Sequence, residues 1–262
     1  MPEFPPALRH VEHVMGTVFS FDIRDRPTAS LRRALPEAVR LLHRIDAVFS
    51  TYRPGSHISR LARQETTLDD CPQEVREVMR LCDQAADLSD GWFTATPAGR
   101  LDPSGLVKGW AVESASRLLA DAGARNCCVN GGGDLQIRGR TGPGTPWRIG
   151  IAHPLRPGDL ATVVTAHHDL AIATSGTVER GGHILDPRHG TPVSTLASLT
   201  VVGAGLTMTD AFATAAFARG DDAGDWLESL AGYEAMAIFP DGSEERTSGF
   251  HRYESDVSPR AW

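Results

Sequence analysis

A carboxylate and a hydroxyl four residues apart stand in the segment 209–220, T-D-A-F-A-T-A-A-F-A-R-G. If this segment is a helix, Asp210 and Thr214 lie one turn apart on the same face. Two oxygen ligands on one face suit a hard cation such as Mg²⁺, which often bridges to phosphate. A purely structural explanation stays open, in which Thr209 or Asp210 caps the helix and Thr214 packs against its neighbours. The pattern also predicts that Gly220 ends the helix in a left-handed turn.

The basic residues are almost all arginine. Among 26 Lys and Arg residues, Lys108 is the single lysine. A lysine ammonium is a compact charge on a flexible stem, so we expect it where such a charge is needed, although chance placement is the alternative. Lys108 lies in the segment 101–109, L-D-P-S-G-L-V-K-G, which leads into a helix predicted over residues 107–122, so Lys108 is expected at the helix start. A loop at a helix N-terminus attracts anions because its backbone N–H groups are free.

Aromatic and glycine residues indicate a large planar ligand. Tyr52 precedes a Pro-Gly turn, and Trp92 and Phe93 stand in an extended turn, where their rings can stack on a planar group. Three glycines within residues 130–134 let the backbone approach a bulky ligand, although a plain hairpin turn explains them equally well. Combined with a metal and a lysine, these features predict a site for a nucleotide or dinucleotide with Mg²⁺.

The remaining pattern predicts the scaffold that positions these residues. Hydrophobic spacing predicts helices over residues 31–49, 73–89, 107–122, 209–220 and 221–230, and strands over residues 15–23, 147–152, 161–165, 170–174, 199–204 and 235–239. Residues 126–139 are predicted to form two strands around a glycine turn. Because strands and helices mix without regular β-α-β alternation, an α+β fold is favoured. Without repeats or linkers, one domain over residues 1–262 is expected, with a mobile tail from Arg252.

Composition restricts the class of protein. A chain of 262 residues with 41% hydrophobic residues can bury a sizeable core. A net charge of −7 argues against a nucleic-acid partner. No stretch has the length and apolarity of a signal peptide or a membrane span, so a cytoplasmic location without a membrane partner is expected. The four cysteines form no C-x-x-C pair, which predicts buried reduced thiols rather than zinc ligands or disulfides.

Nine short motifs follow one another in an order that resembles a known family. They are M-G-T, F-S-T-Y-R-P-G-S, D-G-W-F-T-A-T, L-D-P-S-G-L-V-K-G-W-A-V-E, V-N-G-G-G-D, I-A-H-P, I-A-T-S-G, H-I-L-D-P-R-H-G-T-P and T-D-A-F-A-T-A. This series resembles the ApbE family of FAD:protein FMN transferases over about residues 15–239. The resemblance implies an ApbE-like α+β fold with mixed or antiparallel sheets, packed helices and two interleaved subdomains with the active site in the cleft between them.

The resemblance also implies an activity. Members cleave FAD in a magnesium-dependent reaction, transfer FMN through a phosphoester bond to a threonine hydroxyl of an acceptor flavoprotein, and release AMP. Some members hydrolyse FAD to FMN and AMP instead. An FAD pyrophosphatase and a non-catalytic flavin-binding protein therefore stay open as alternatives.

The same resemblance implies which residues form the site. The implied metal ligands are Asp210, Thr214 and the backbone oxygen of Gly105. The implied FAD contacts are Met15, Tyr52, Trp92, Phe93, Thr94, Asp102, Lys108 and the backbone of Leu185. His183 of the H-x-x-D-P motif is the expected general base toward the incoming hydroxyl, with a loop-orienting hydrogen bond to Asp186 or to a backbone group as the alternative. The loops 130–134 and 174–176 are expected to line the phosphates and the isoalloxazine.

The sequence departs from the family pattern in one turn. It has Thr94 where the family commonly has aspartate, and Trp92 where the family often has a small residue. We expect the lost carboxylate to alter how the flavin or the adenosine is held, and the large ring to narrow the pocket. Neither change affects the implied metal ligands.

Overall fold

The computed structural model describes residues 7–176 and 184–255. The strands in this part are β1 (Leu8–Val14), β2 (Thr17–Ile23), β3 (Cys127–Gly131), β4 (Asp134–Arg138), β5 (Trp147–Ala152), β6 (Leu160–Ala166), β7 (Leu170–Gly176), β8 (Ser198–Gly203), β9 (Glu234–Ile238) and β10 (Glu244–Arg246). The helices are α1 (Ala29–Phe49), α2 (His57–Ala62), α3 (Gln73–Leu88), α4 (Ser104–Asp121), α5 (Leu206–Arg219) and α6 (Ala223–Ser229). Short 3₁₀ turns lie at Pro97–Gly99, Gly220–Asp222 and Phe250–Arg252.

Two antiparallel sheets organise the described residues. One has eight strands in the order β1-β2-β3-β4-β7-β8-β9-β10, and β5 and β6 pair separately as a hairpin. Side chains alternate between the two faces of each strand, so the large sheet can bury both faces. In β7, Ala171 and Ala173 belong to one apolar core, whereas Leu170 and Ile172 belong to the other.

The two cores define three layers. The buried apolar residues of all six helices belong to the larger core, on one face of the eight-stranded sheet. Trp147, Ile151 and Val164 of the hairpin belong to the smaller core, on the opposite face. Helices, sheet and hairpin therefore stack in that order, which confirms the predicted α+β class with antiparallel sheets and packed helices.

Helix α4 begins at Ser104, earlier than the predicted residue 107. Asp102 Oδ1 accepts the Ser104 N–H at 3.0 Å and so satisfies a free donor at the helix start. Gly105 and Lys108 therefore lie in the first turns of the helix. The prediction that Gly105 lies in a loop before the helix is wrong, whereas Lys108 does lie near the start of the helix, as predicted.

Helix α5 begins at Leu206, also earlier than predicted. Gln136 Oε1 accepts the Leu206 N–H at 2.9 Å, and Glu113 Oε2 accepts the next N–H at 2.8 Å. Thr209 and Asp210 lie inside the helix, so the prediction that one of them caps it is wrong. The capping groups come from β4 and α4, which rules based on neighbouring sequence cannot detect.

The other end of α5 follows the prediction. Gly220 comes directly after the last residue of the helix with a φ of +71°, which is accessible to glycine at no steric cost. Strand β1 was not predicted, because apolar and polar side chains do not alternate along it: Val11 is on the exposed face, whereas His10 and Glu12 are on the half-buried face. It pairs antiparallel with β2 along its whole length.

Helices α4 and α5 approach each other closely at Gly109. A methyl group at this position would lie 2.6 Å from the carbonyl oxygen of Leu206 and 2.7 Å from Cβ of Asp210. The Gly109 N–H donates to Asp210 Oδ2 at 2.9 Å. The absence of a side chain therefore lets the two helices pack together and fixes the Asp210 carboxylate.

We expect Gly109→Ala to destabilise the protein by about 1–3 kcal/mol, because the added methyl group would force α4 and α5 apart. Urea unfolding measures the loss. Gly224→Ala in α6 is the matched control, since a Cβ there meets nothing within 4 Å. The control should be neutral or stabilising, as for glycine replaced by alanine in an open helix. Equal stabilities for both variants would contradict the close approach.

All four cysteines, Cys71, Cys82, Cys127 and Cys128, are buried and free, as predicted. Burial raises the pKa of Cys82, Cys127 and Cys128 to about 12. Desolvation disfavours the thiolate, so the folded protein keeps these thiols protonated and unreactive.

The raised thiol pKa values predict a loss of stability in alkali. Unfolded thiols release their protons near the ordinary pKa of 9.0, whereas the folded ones keep theirs to about 12. Stability is thus fully present below pH 9 and falls as pH rises toward 12, by about 1.4 kcal/mol per thiol and pH unit. Urea unfolding at neutral and alkaline pH measures this slope. Cys82→Ala should reduce it, and a slope unchanged by that substitution would contradict the assignment.

Membrane, domain and tail predictions have different outcomes. No helix within residues 7–176 and 184–255 has both the length and the apolarity needed to cross a bilayer. One domain over residues 1–262 and a cytoplasmic location stay predictions.

Glu254 forms a β-bridge with Val164 of β6, so the start of the C-terminal tail, which was predicted to be mobile, is packed. The tail from residue 256 lies outside the described residues.

Candidate functional site

A cavity of about 290 Å³ lies at one end of the eight-stranded sheet. The helices, the glycine turn between β3 and β4, the end of β7, the start of β8 and the hairpin all contribute to its wall. Most of the predicted site residues line it, namely Trp92, Phe93, Thr94, Asp102, Gly105, Lys108, Leu185, Asp210 and Thr214. The fold thus brings together residues from distant parts of the sequence.

An ammonium between two carboxylates forms the charged centre of this cavity. Lys108 Nζ pairs with Asp134 Oδ2 and lies 3.4 Å from Asp210 Oδ1. The side chains of Asp134 and Asp210 are only 2% and 6% exposed. Asp134 Oδ1 also accepts the N–H of Thr174 at 2.9 Å. Lys108 therefore links α4, α5 and the glycine turn, and its charge offsets the burial of two acids.

The predicted metal ligands lie close together. A Cβ placed on Gly105 would lie 3.5 Å from Thr214 Oγ1, so the first turn of α4 faces the middle of α5. Asp210 precedes Thr214 by one helical turn, as its spacing predicted. Among the described residues, no group of three or more His, Cys, Asp or Glu side chains could hold a metal. A cation here would take one carboxylate, a hydroxyl, a backbone carbonyl and ligand oxygens, a set that fits Mg²⁺.

The charges that line the cavity also favour a cation. Within the described part of the chain, its wall carries one ammonium, from Lys108, and the carboxylates of Asp102, Asp134 and Asp210. A diphosphate could not approach this excess of negative charge without additional positive charge, which a divalent ion supplies. The residues present therefore fit a magnesium-dependent site for an anionic ligand.

The aromatic turn, residues 92–94, lies beside the residues that were predicted to bind the metal. Phe93 is buried beneath Gly105, and its N–H donates to Ser89 Oγ at 2.8 Å. The guanidinium carbon of Arg188 lies 4.2 Å from the ring centroid of Trp92, which is cation–π geometry. Thr94 Oγ1 accepts the Thr96 N–H at 3.0 Å, so the Thr94 side chain stabilises the turn in which it lies. Arg188 thus covers one face of the ring that was predicted to stack on a ligand.

The segment after residue 183 is held by an aspartate. Asp186 accepts the Arg188 N–H at 2.7 Å and lies 2.8 Å from His189 Nδ1. These hydrogen bonds, first that with His189, hold the pKa of Asp186 below its ordinary value. His183 lies outside the described residues, so its predicted roles as general base or as partner of Asp186 stay predictions. The His189 contact was not foreseen.

Two predicted FAD contacts lie outside the cavity wall. Tyr52 lies in the segment between α1 and α2, and it is 94% exposed. Met15 is in the turn between β1 and β2 with a φ of +55°. A Cβ on Gly132 would lie 2.6 Å from Thr17 Oγ1, so this turn flanks the glycine turn of the cavity. Roles of Met15 and Tyr52 in binding stay predictions.

Residues 130–134 and 174–176 were both predicted to be loops. Both segments contribute to the cavity wall, but only residues 130–134 contain a turn. Gly132 and Gly133 have φ values of +61° and +95°, and Asn130 Oδ1 accepts the Gly133 N–H at 2.9 Å. This tight turn requires glycine. Residues 174–176 are the last residues of β7, so describing them as a loop was wrong.

Sequence reasoning missed the contribution of the hairpin. Ala152, His153 and Pro154 line the cavity, and His153 is only 4% exposed. They belong to the I-A-H-P motif, to which no role was assigned. A histidine directly after an apolar strand was the available signal. Asp134, whose carboxylate pairs with Lys108, was likewise predicted only as the last residue of a glycine loop.

Comparison with solved structures establishes the fold. The flavin transferase ApbE from Vibrio cholerae superimposes with a TM-score of 0.82 at 23% identity, covering 95% of this chain and 100% of that one. The ApbE protein of Thermotoga maritima gives a TM-score of 0.85 at 21% identity, covering 96% and 100%. The three-layer α+β architecture is therefore that of the ApbE structures.

Sequence comparison establishes the family. The ApbE family profile matches residues 15–99 and 94–237, so the chain belongs to the ApbE family. The FAD:protein FMN transferase of Rhodobacter capsulatus is 33% identical over 195 residues, which are 67% of this chain and 36% of the relative. That of Vibrio cholerae is 32% identical over 133 residues, 47% of this chain and 40% of the relative. The match thus spans less than half the length of these relatives.

Proposed function

We propose that the protein is a magnesium-dependent FAD:protein FMN transferase. It transfers FMN from FAD to a threonine hydroxyl of an acceptor flavoprotein, forms a phosphoester bond and releases AMP. Family membership supports this proposal, as do the relatives that bear this name. The observation that carries it is the cavity in which Lys108 meets Asp210 beside Thr214 and Gly105.

In this proposal the helices hold the diphosphate. Asp210, Thr214 and the backbone oxygen of Gly105 would hold Mg²⁺, which would offset charge that develops on the diphosphate oxygens. Lys108 adds a second positive charge from the first turns of α4. The Gly109 N–H fixes Asp210, and Asp134 and Asp210 hold Lys108, before the ligand arrives. Such positioning supplies much of the catalysis in phosphoryl transfer.

The flavin and the acceptor occupy the remaining wall. Trp92 offers ring surface. Phe93, Thr94, Asp102, Leu185, Met15 and Tyr52 are the further proposed contacts. The acceptor oxygen attacks the FMN phosphorus, the bond to the AMP oxygen breaks, and His183 takes the hydroxyl proton. Burying a diphosphate without these partners would be strongly unfavourable.

Incubation with FAD and Mg²⁺ tests the proposal. AMP release that requires an acceptor protein supports the transferase. AMP with free FMN in the absence of an acceptor indicates the pyrophosphatase, and FAD binding without AMP indicates a binding protein. Co-expression with the products of neighbouring genes, followed by denaturing electrophoresis, identifies the acceptor by its covalent flavin fluorescence.

We further propose that the protein acts in the cytoplasm on a protein partner, without nucleic acid or membrane. The free thiols of all four cysteines support a reducing compartment. The net charge of −7 disfavours binding to nucleic acid. Cell fractionation followed by detection of the native chain tests the location.

A further inference from the structure

Asp134 is a buried carboxylate in the cavity wall that is neither a proposed metal ligand nor a proposed FAD contact. It is the first residue of β4, and its side chain is only 2% exposed. Asp134 Oδ1 accepts the Thr174 N–H at 2.9 Å, so the backbone of β7 fixes the carboxylate. Oδ2 pairs with the Lys108 ammonium, and nothing else in residues 7–176 or 184–255 forms a hydrogen bond with it. Lys108 is therefore the counter-ion of Asp134.

Both oxygens of the proposed metal ligand Asp210 face α4. The Gly109 N–H donates to Oδ2 at 2.9 Å, and Lys108 Nζ lies 3.4 Å from Oδ1. The Gly109 N–H belongs to the helix backbone and cannot withdraw. The Lys108 ammonium lies at the end of a flexible four-carbon stem and can. A cation that takes a carboxylate oxygen of Asp210 therefore competes with Lys108 at Oδ1.

The ammonium does not lie midway between the two carboxylates. Nζ is closer to Asp134 than to Asp210, and 3.4 Å to Asp210 exceeds the roughly 2.7–2.9 Å of a charge-assisted hydrogen bond. An ammonium and a divalent cation on the same carboxylate oxygen repel each other, and the repulsion is stronger at a buried site than in water. A fixed second carboxylate gives the ammonium a partner that does not bring it against the metal.

We propose that Asp134 is a positioning residue that holds the Lys108 ammonium back from Asp210 and so leaves Asp210 Oδ1 available to the metal. This rests on the proposed function, in which Asp210 is a metal ligand. Without the Asp134 carboxylate, the ammonium turns to Asp210 as its remaining partner and opposes the metal. Asp134 acts through Lys108 and touches neither the metal nor FAD.

Mn²⁺ binding in the absence of FAD tests this role. Mn²⁺ takes the same kind of octahedral oxygen site as Mg²⁺, and electron paramagnetic resonance measures the unbound ion. Asp134→Asn keeps an oxygen that can accept the Thr174 N–H and removes the charge that holds Lys108. We expect this substitution to raise the Mn²⁺ Kd about tenfold, because the ammonium then competes at Asp210. Lys108→Met is expected to lower the Kd.

A double-mutant cycle separates positioning from a simple loss of negative charge. In the Lys108→Met background no ammonium is left to compete, so Asp134→Asn should raise the Mn²⁺ Kd by about twofold at most. If Asp134 acts only through its own electrostatic field, the Kd rises by the same factor in both backgrounds, and that result overturns the proposal. Asp83→Asn, which removes an exposed charge of α3, is the control and should leave the Kd unchanged.

AMP release from FAD gives a second readout that structural damage does not reproduce. In Asp134→Asn, the Mg²⁺ concentration for half-maximal AMP release should rise by a larger factor than the maximal rate falls. A lower maximal rate with an unchanged Mg²⁺ requirement shows a merely structural role and overturns the proposal. Urea unfolding of each variant verifies that the compared proteins are folded.

The remaining outcomes also decide the matter. An unchanged Mn²⁺ Kd in Asp134→Asn overturns the role of Asp134 and leaves the proposed function intact, since AMP release by the wild type tests that separately. If Asp134→Asn does not fold, Lys108→Met decides, because unchanged or weaker Mn²⁺ binding in that variant overturns the competition. Wild-type protein that binds no Mn²⁺ overturns the proposed metal site and this inference with it. The expected coupling in a wild type that releases no AMP supports the inference and overturns the proposed function alone.

Discussion

Asp210→Ala is expected to abolish AMP release from FAD. The carboxylate is the one acidic side chain in the proposed metal-ligand set, and its buried position gives water little access to replace it. Loss of a metal that stabilises charge on the diphosphate removes several kcal/mol of transition-state stabilisation, which is about a thousandfold in rate. The measurement is AMP release as a function of Mg²⁺ concentration.

Two further variants make the Asp210 result specific. Asp210→Asn keeps an oxygen that can accept the Gly109 N–H, so it preserves the contact between α4 and α5 while removing the charge. It should be nearly as inactive as the alanine variant but closer to wild type in urea unfolding. Asp83→Asn, on an exposed position of α3, should leave the rate unchanged. A wild-type rate in either Asp210 variant would remove the metal assignment.

Lys108→Met is expected to weaken both the fold and FAD binding. The substitution removes the ammonium that contacts the buried carboxylates of Asp134 and Asp210. Removing one partner from a buried ion pair typically costs about 3–5 kcal/mol, because a buried charge loses its compensation. The same ammonium is the proposed partner of the diphosphate. Urea unfolding and FAD dialysis measure the two effects separately.

A second substitution separates stability from binding at this position. In Lys108→Met with Asp134→Asn, one uncompensated charge is gone, so much of the lost stability should return while FAD binding stays weak. A double-mutant cycle gives the coupling energy of the Lys108–Asp134 pair directly. If Lys108→Met matches wild type in both measurements, the placement of the single lysine is chance.

The sequence predicted the parts of the site that depend on helical spacing within one segment or on the order of the family's motifs along the chain. Helical spacing placed Asp210 and Thr214 on one face of α5, and that spacing holds wherever the helix begins. The order of the motifs identified the cavity-lining residues near Trp92 and Lys108. Both kinds of inference need no knowledge of how distant elements pack.

What the sequence did not predict depends on tertiary contacts. The starts of α4 and α5 were misplaced, the latter because Gln136 and Glu113 cap α5 from other elements. The pairing of Lys108 with Asp134 and the burial of His153 arise from the meeting of three layers. Secondary-structure propensity and residue spacing do not show which distant loops line the same cavity.

The Gly109–Asp210 hydrogen bond joins positions 101 residues apart in the chain. During synthesis, α4 with Lys108 leaves the ribosome before α5 with Asp210 has been made. A nascent chain that ends before α5 consequently lacks Asp210 and Thr214, two of the three proposed metal ligands. The proposed nucleotide turnover therefore requires that α5 has been synthesised and has packed against α4.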